Sequence, residues 1–363
     1  MKKTDDPSYR LLTTRYFRKQ AKQLADQMLG LRESDDIEFV HRARVACRRM
    51  RAVLQMSRDC FDGKQFKLWR KEIRKLLKGL GDARDKDVQT EFLWDVVAGL
   101  NDRTLLPGIA RVVVGLERAR EELQPTVIAS VDRAEQVGLI DDLLETSKKT
   151  LSELEGEQVQ LTGRELFTRL EEHIAENVNE FLEHQDCLDD PMNEEGHHEM
   201  RIAAKQLRYT MEICRPAYQG QLDDFVATVK RVQTLLGDIH DCDVWVEHLA
   251  VTLGEEGKRL AEDYGHHGRL TRLMSGIEYL RVERREERVR LFEDLVGYWR
   301  ELRQEAYWDG LIDLISSSAL RGSVPPAEDG EEAAETDEEQ AAADLKGQEP
   351  DRPAFEASAG NWT

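Results

Sequence analysis

An all-α protein built from two related halves is the fold that this sequence predicts. Three observations favour it: a composition rich in charge and poor in aromatic residues, apolar residues at helical spacing, and two sequence blocks that each occur twice. Of the 363 residues, 40% are hydrophobic, 34% charged and 7% aromatic, and nine are proline. This profile suits long helices with charged outer faces, because sheet sandwiches use more aromatic and β-branched residues.

The internal repeat is the strongest of these observations. The first block, HRARVACRRMR at 41–51, recurs as HEMRIAAKQLR at 198–208, an offset of 157 residues. The second block, LGDARDKDV at 80–88, recurs as LGDIHDCDV at 236–244, an offset of 156 residues. Two blocks in the same order and at nearly the same separation predict a duplicated unit.

The chain therefore divides into three parts: a first half over residues 1–158, a second half over 159–320, and an acidic tail over 321–363. The tail contains twelve acids and three bases and lacks apolar residues at helical spacing. Because it could bury too little apolar surface to offset the entropy lost on ordering, we predict that it is disordered.

Both copies of the first block predict an amphipathic helix with a cationic stripe. At 100° per residue, the small and apolar residues of each copy share the face that would pack into a core. The basic residues and one histidine share an arc of about 80° on the opposite side, spread over roughly 15 Å of helix. The first stripe consists of His41, Arg44, Arg48 and Arg51, and the second of His198, Arg201, Lys205 and Arg208.

The positions beside the stripes are basic in one copy only. Arg42 and Arg49 of the first copy correspond to Glu199 and Gln206 of the second. Like charges three or four residues apart repel by a few tenths of a kcal/mol per pair, so a stripe that occurs twice predicts an anionic ligand. The alternative is that aspartates of the second block neutralise the stripes within the protein.

The helix expected after the first block adds further candidates. Residues 41–78 contain thirteen bases and three acids, in a chain whose formal net charge is −20. Of the bases in 64–78, only Arg74 and Lys75 correspond to bases of the second half, Lys230 and Arg231. These four join the stripes as candidate ligand-binding residues. Phe66 and Trp69 are expected to pack in the core.

The second block predicts the end of one helix and the start of the next. Gly81 and Gly237 would adopt the left-handed conformation that terminates a helix, and the aspartates would cap the following helix or form ion pairs. A metal site is the alternative, because Asp-x-Asp supplies oxygen ligands. In the second half, softer ligands are available from His240, Cys242 and His248. Arg84 and Lys86 replace the first two of these in the first half, so we favour capping and ion pairs and expect no metal.

The two motifs together resemble the CHAD family of histidine-marked α-helical domains, over nearly the whole chain except the tail. The resemblance implies two tandem bundles of about four long helices each, related by a pseudo-twofold axis around a central basic pore. It also implies that the pore binds inorganic polyphosphate, that the protein associates with polyphosphate granules, and that the domain has no enzymatic activity or cofactor. The matching positions are those of the two stripes. The Glu-x-Glu-x-Lys mark of the CYTH-type domain that often precedes this family is missing upstream, so a stand-alone domain is expected.

Two other functions stay open at this point. One is a phosphoryl-transfer or polyphosphate-hydrolysing enzyme that uses His41 or His198, although the chain has no P-loop and no Gly-x-Ser-x-Gly motif. The other is an RNA- or DNA-binding regulator. The net charge disfavours duplex DNA, and the first stripe lacks the aromatic residues on which single-stranded bases stack, so nucleic acid is not the expected partner.

The location expected from the sequence is the cytoplasm. No run approaches eighteen apolar residues, and Asp5, Asp6 and Pro7 stand where a signal peptide would have its apolar core. Five scattered cysteines without a CxxC pair are typical of reduced thiols in a cytosol. We therefore predict a cytoplasmic protein without a membrane partner.

Overall fold

Every regular element that the structure describes is helical. The computed structural model describes residues 6–34, 36–263 and 267–324, and the side chains of these residues except those of 259–272. This part of the chain contains eleven α-helices, two short 3-10 helices and no strand. The prediction of an all-α fold is confirmed.

The helices follow one another through short connections. In the predicted first half they are α1 (Pro7–Glu33), α2 (Ile37–Met56), α3 (Gly63–Gly79), α4 (Gly81–Gly99), α5 (Leu106–Gln136) and α6 (Leu139–Gly156). In the predicted second half they are α7 (Arg164–Glu183), α8 (Glu194–Cys214), α9 (Asp223–Asp263), α10 (His267–Gln304) and α11 (Tyr307–Arg321). The 3-10 helices are Gln185–Asp189, before α8, and Arg215–Ala217, after it.

Side-chain caps fix the starts of the helices that carry the stripes and of their neighbours. Asp36 accepts a hydrogen bond from the backbone N–H of Glu38 at the start of α2, and Asn193 accepts one from Gly196 at the start of α8. Asp6 and Asp62 cap α1 and α3 in the same way. These side chains satisfy N–H groups that have no partner within the helix.

The main hydrophobic core is common to both predicted halves. It contains side chains from α1, α2 and α3 together with side chains from α7, α8, α9 and α11. Trp69 of α3 is fully buried, its ring centroid lying 5.3 Å from that of Phe17 and 5.2 Å from that of Phe61. Phe66 is buried as well, so the expected core role of both aromatic residues is confirmed. A smaller cluster joins α4, α5, α9 and α10.

The numbers of helices in the two halves differ from the expected four. The structure describes six helices before residue 158 and five after it, because α3 and α4 correspond to the single helix α9. Gly79 ends α3 where it packs against Ser130 of α5, leaving no room for a Cβ atom. Its counterpart in the second half is Leu235, a strong helix former, so α9 continues through the equivalent position.

Both predicted boundaries fall close to ends of helices. The joint at residue 158 lies in the connection between α6 and α7, although the division into halves stays a prediction. Arg321, where the tail was expected to begin, is the last residue of α11, and Gly322 ends that helix at a φ of 73°. The carbonyl of Gly322 accepts a hydrogen bond from the N–H of Gly163 at 2.9 Å. Residues 325–363, and with them the predicted disorder, lie outside the described residues.

None of the helices in the described ranges combines the length and the apolar character needed to cross a bilayer.

Burial of one histidine makes the stability of the fold depend on pH. The ring of His248 on α9 packs edge-on against Trp245, with 5.8 Å between centroids. Desolvation, with a smaller contribution from Lys86, lowers the pKa of His248 to about 4. The neutral ring therefore stabilises the fold above the unfolded-state pKa of about 6.5, and this contribution is lost as the pH falls towards 4.

We predict that His248→Gln flattens the pH dependence of the free energy of unfolding. Between pH 6.5 and 4 the wild-type protein should lose roughly 3 kcal/mol more than the variant, because each unit of pKa difference is worth about 1.4 kcal/mol. Urea denaturation at a series of pH values measures this difference. Parallel curves for the two proteins would contradict it.

Candidate anion-binding site at the contact of α2 and α8

The first stripe runs along α2 from a buried end to an exposed end. His41 and Arg44 are 8% and 3% exposed, Arg48 is half-buried, and Arg51 is exposed. The stripe lies on the side of α2 opposite to its small apolar residues, but its first two turns are covered by neighbouring helices. A guanidinium group taken out of water needs acceptors or counter-charges nearby. For Arg44, the carbonyl oxygen of Leu77 is one such acceptor.

The second stripe is buried more evenly along α8. Arg201 and Arg208 are 1% and 4% exposed, while His198 and Lys205 are half-buried. The Nη2 atom of Arg201 lies 3.5 Å from Nδ1 of His198. The two residues share one helix face, as the spacing of the motif predicts.

The two stripe helices pack directly against each other, and one carboxylate joins them. Arg49 of α2 donates from Nε to Oε2 of Glu212 on α8 at 3.1 Å. Arg208 of the second stripe lies with its Nε 3.6 Å from the other oxygen of the same carboxylate. The hydroxyl of Tyr16 on α1 also donates to Glu212, at 3.4 Å. The structure therefore brings the two stripes onto helices that touch, while the central pore itself stays a prediction.

The arginines beside the first stripe have carboxylate partners within the protein. Arg42 lies 3.5 Å from Glu38 of the same helix, and Arg49 is paired with Glu212. These intramolecular pairs account for two bases that have no basic counterpart in the second copy. Of the stripe residues, Arg208 lies near one of these carboxylates, that of Glu212.

Gly81 allows Arg44 to approach the end of α3. The Nη1 atom of Arg44 lies 3.4 Å from the carbonyl oxygen of Leu77, and a Cβ atom on Gly81 would lie 3.0 Å from the same nitrogen. Neither Gly81 nor Gly237 has a positive φ, and Gly237 lies inside α9. The prediction that these glycines end helices in the left-handed conformation is wrong. At Gly81 a Cβ atom would instead crowd the guanidinium of Arg44.

The last aspartate of the second block forms an equivalent ion pair in each half. Asp87 accepts a hydrogen bond from Nε of Arg120 on α5 at 2.6 Å, and Asp243 accepts one from Nε of Arg288 on α10. Burial raises the pKa of Asp87 and of Asp243, and the arginines oppose this rise. These two aspartates fit the ion-pair interpretation of the block. They lie within helices, so they do not cap one.

Sequence reasoning missed a candidate position in the second block. Arg84 on α4 is 1% exposed, and burial lowers the pKa of its guanidinium while Asp87 opposes this change. Its counterpart His240 lies with its ring centroid 4.9 Å from that of His198 in the second stripe. The signal was present in the repeat, because both copies have a residue at this position that is able to carry a positive charge.

The four candidates outside the stripes are less buried. Arg74 and Lys75 are exposed on α3, with Lys75 at 3.5 Å from Glu72. On α9, Lys230 is half-buried and Arg231 is exposed, with its guanidinium stacked 3.8 Å over the ring of Tyr298. These residues lie at the outside of the helices that flank the stripes.

The described side chains contain no group of three or more His, Cys, Asp or Glu residues arranged to hold a metal ion. His240, Cys242 and His248 all belong to α9.

Comparison with known proteins identifies the family. The family model described as the CHAD domain matches residues 15–250, which is more than half of the chain. The chain therefore belongs to the CHAD domain family, and the resemblance expected from its motifs is confirmed.

A solved plant structure shares the fold. A crystal structure of the CHAD domain from the plant Ricinus communis is similar with a TM-score of 0.56 and 16% identity, over 84% of this chain and 94% of that one. PptA from Streptomyces chartreusis is similar with a TM-score of 0.49 and 16% identity, over 80% of this chain and 98% of that one. None of the curated proteins compared with the chain matches it.

We predict that Gly81→Ala weakens the binding of an anionic ligand at the first stripe without destabilising the fold. The added methyl group would displace the guanidinium of Arg44, whereas alanine should favour α4 by up to about 1 kcal/mol over glycine. The measurement is a calorimetric titration with inorganic polyphosphate, beside thermal unfolding. Gly115→Ala in α5 is the matched control, because a Cβ atom there meets nothing within 4 Å. Equal affinities for the two variants would contradict the prediction.

Proposed function

We propose that this protein binds inorganic polyphosphate without transforming it, through the two cationic stripes, and that this binding recruits it to polyphosphate granules in the cytoplasm. The observation that carries the proposal is the burial of Arg44, Arg201 and Arg208 on two helices that touch. Family membership supports it, since both repeated motifs occur in one CHAD domain.

Unsatisfied donors near the stripes support an anionic ligand. Nη2 of Arg48 and both Nε and Nη1 of Arg84 are buried without a hydrogen-bond partner among the described residues. Leaving such donors unpaired costs about 1–3 kcal/mol each, and more for charged groups. Guanidinium groups form strong, often bidentate hydrogen bonds with phosphate oxygens, so a polyphosphate chain would offset this cost.

The surroundings of the stripes favour polyphosphate over nucleic acid. A single-stranded nucleic acid is held by aromatic side chains that stack on its bases as well as by cations. The first stripe has no aromatic residue, and Tyr209 beside the second is buried under Arg208, whose guanidinium lies 5.0 Å from its ring. Polyphosphate carries negative charge but no nucleobases, so a site with cations and no aromatic stacking surface suits it.

Binding without turnover is the second element of the proposal. Cys47 lies between stripe residues on α2, but burial raises the pKa of its thiol to about 12, although Arg44 and Arg51 oppose this. The thiol therefore stays protonated at neutral pH and is a poor nucleophile. Phosphoryl transfer also requires groups that neutralise the transition state, usually metal ions, which would have to enter with the substrate.

We predict that Arg48→Gln combined with Lys205→Gln weakens polyphosphate binding at least about tenfold, because charge-assisted hydrogen bonds contribute about 1.5–3 kcal/mol each. The plot of log affinity against log salt should become less steep by about 0.7 for each lost contact, as for other flexible polyanions. These equivalent positions are half-buried, so the fold should tolerate glutamine there.

The control for this variant is Arg42→Gln, which removes an exposed cation that is beside the stripe and already paired with Glu38. It should leave both the affinity and the salt dependence nearly unchanged. If Arg42→Gln weakens binding as much as the double variant does, the stripe is not the binding site.

We predict that incubation with polyphosphate and magnesium releases no phosphate and forms no nucleoside triphosphate. A time course of free phosphate and of added nucleotide, with and without the protein, measures this. A protein-dependent rate would instead identify an enzyme. In the same assay series, transfer RNA should fail to displace bound polyphosphate, whereas efficient displacement would favour a nucleic-acid-binding regulator.

A further inference from the structure

The outer side of α3 is a continuous basic surface. Seven cations fall within about 140° of the helix circumference, while Phe66, Trp69 and Ile73 occupy the buried side. All seven are exposed. This surface, which we call the basic face of α3, consists of Lys64, Lys67, Arg70, Lys71, Arg74, Lys75 and Lys78.

The described part of the chain supplies almost no negative charge to this face. The single acid on α3 is Glu72, which is buried and accepts hydrogen bonds from Arg133 of α5 at 2.6 and 3.1 Å. Lys75 lies 3.5 Å from the same carboxylate. No ion pair joins the other six cations to a carboxylate of the described residues, so the basic face keeps nearly its full charge.

The repeat separates the basic face from the duplicated stripes. Of the seven positions, only those of Arg74 and Lys75 have basic counterparts in the second half. The other five correspond to Gly220, Asp223, Val226, Ala227 and Thr234. A ligand held equally by both halves does not require these five cations, so they indicate a partner that binds the first half alone.

We infer that the partner is the chain's own acidic segment, residues 328–339, which docks on the basic face of α3. The segment has eight acids among twelve residues and no base. Its negative charge complements the seven cations of the basic face, whose one neighbouring acid, Glu72, is already bonded to Arg133. Because the net charge of the protein is −20, an external polyanion is repelled elsewhere, whereas a tethered one is held close to the face.

Contacts within the fold place the start of the tail within reach of α3. Gly322 is hydrogen-bonded to Gly163, and the hydroxyl of Ser8 on α1 donates to the neighbouring carbonyl of Thr162 at 3.2 Å. About one and a half helical turns further along α1, the hydroxyl of Thr13 lies 3.7 Å from Sγ of Cys60, three residues before α3 begins. The fifteen residues 325–339 extend to about 50 Å, twice the roughly 25 Å length of α3.

The docked state is weak and reversible. Exposed ion pairs contribute less than about 1 kcal/mol each, and a flexible tether supplies an effective concentration in the millimolar range. A polyanion of higher charge density should therefore displace the segment. Displacement by polyphosphate rests on the proposed function, but the docking itself does not.

Zero-length carbodiimide cross-linking of the full-length protein tests the inference, because it couples lysine only to a carboxylate in contact. At low salt, peptides from 328–339 should be joined to Lys67, Lys71 and Lys78 within one molecule. The exposed lysines Lys22 and Lys258 on α1 and α9 are controls and should give few such products. In about 1 M salt the yield should fall roughly tenfold, since the Debye length shrinks to about 3 Å.

A variant with the eight acids of 328–339 replaced by glutamine and asparagine is the second control and should lose any surface preference. Products spread evenly over α3 and the control lysines would overturn the inference, as would products formed only between molecules or yields insensitive to salt. Polyphosphate added before the reagent should remove the α3 products. If these products form at low salt and polyphosphate leaves them unchanged, docking stands and displacement by polyphosphate fails. The proposed function is tested separately, by the effect of Arg48→Gln with Lys205→Gln on polyphosphate affinity.

Discussion

Burial of positive charge at a helix contact is the constraint on which the rest of the structure depends. A guanidinium group taken out of water carries a desolvation cost, and the fold accepts this cost at equivalent positions of α2 and α8. Glu212 offsets part of it where the two helices touch, by contacting Arg49 and lying near Arg208. The apolar residues on the opposite faces of both helices pack into the core. The positions of these cations are thus fixed by the core that surrounds them.

Much of the fold and of the candidate site could be predicted because the repeat compares the chain with itself. Helical spacing placed both stripes on amphipathic helices, and the off-stripe arginines proved to have their own carboxylates. The direct contact of α2 and α8 could not be predicted, because helical spacing contains no information about tertiary packing. Arg84 and His240 could not be assigned to the site from the sequence, because the contact of His240 with His198 joins two different helices.

The glycines of the second block show where local rules fail. Glycine before an aspartate-rich segment often ends a helix, but α9 continues through Gly237, and Gly81 has an ordinary backbone conformation. Two residues earlier the halves differ as well: Gly79 packs closely against Ser130 of α5, and its counterpart is Leu235. Only the tertiary environment reveals which glycine has a steric role.

The first helix is tied to segments that are synthesised much later. The hydroxyl of Tyr9 donates to the carbonyl of Met56 at 2.8 Å and lies 3.0 Å from Nε2 of His173, while Arg169 stacks 3.8 Å over its ring. Ribosomes synthesise about 5–20 residues per second, so roughly ten seconds or more pass between the synthesis of α1 and that of α7. During this interval the amino-terminal helix has an incomplete set of neighbours, and its apolar face is a natural target for chaperones.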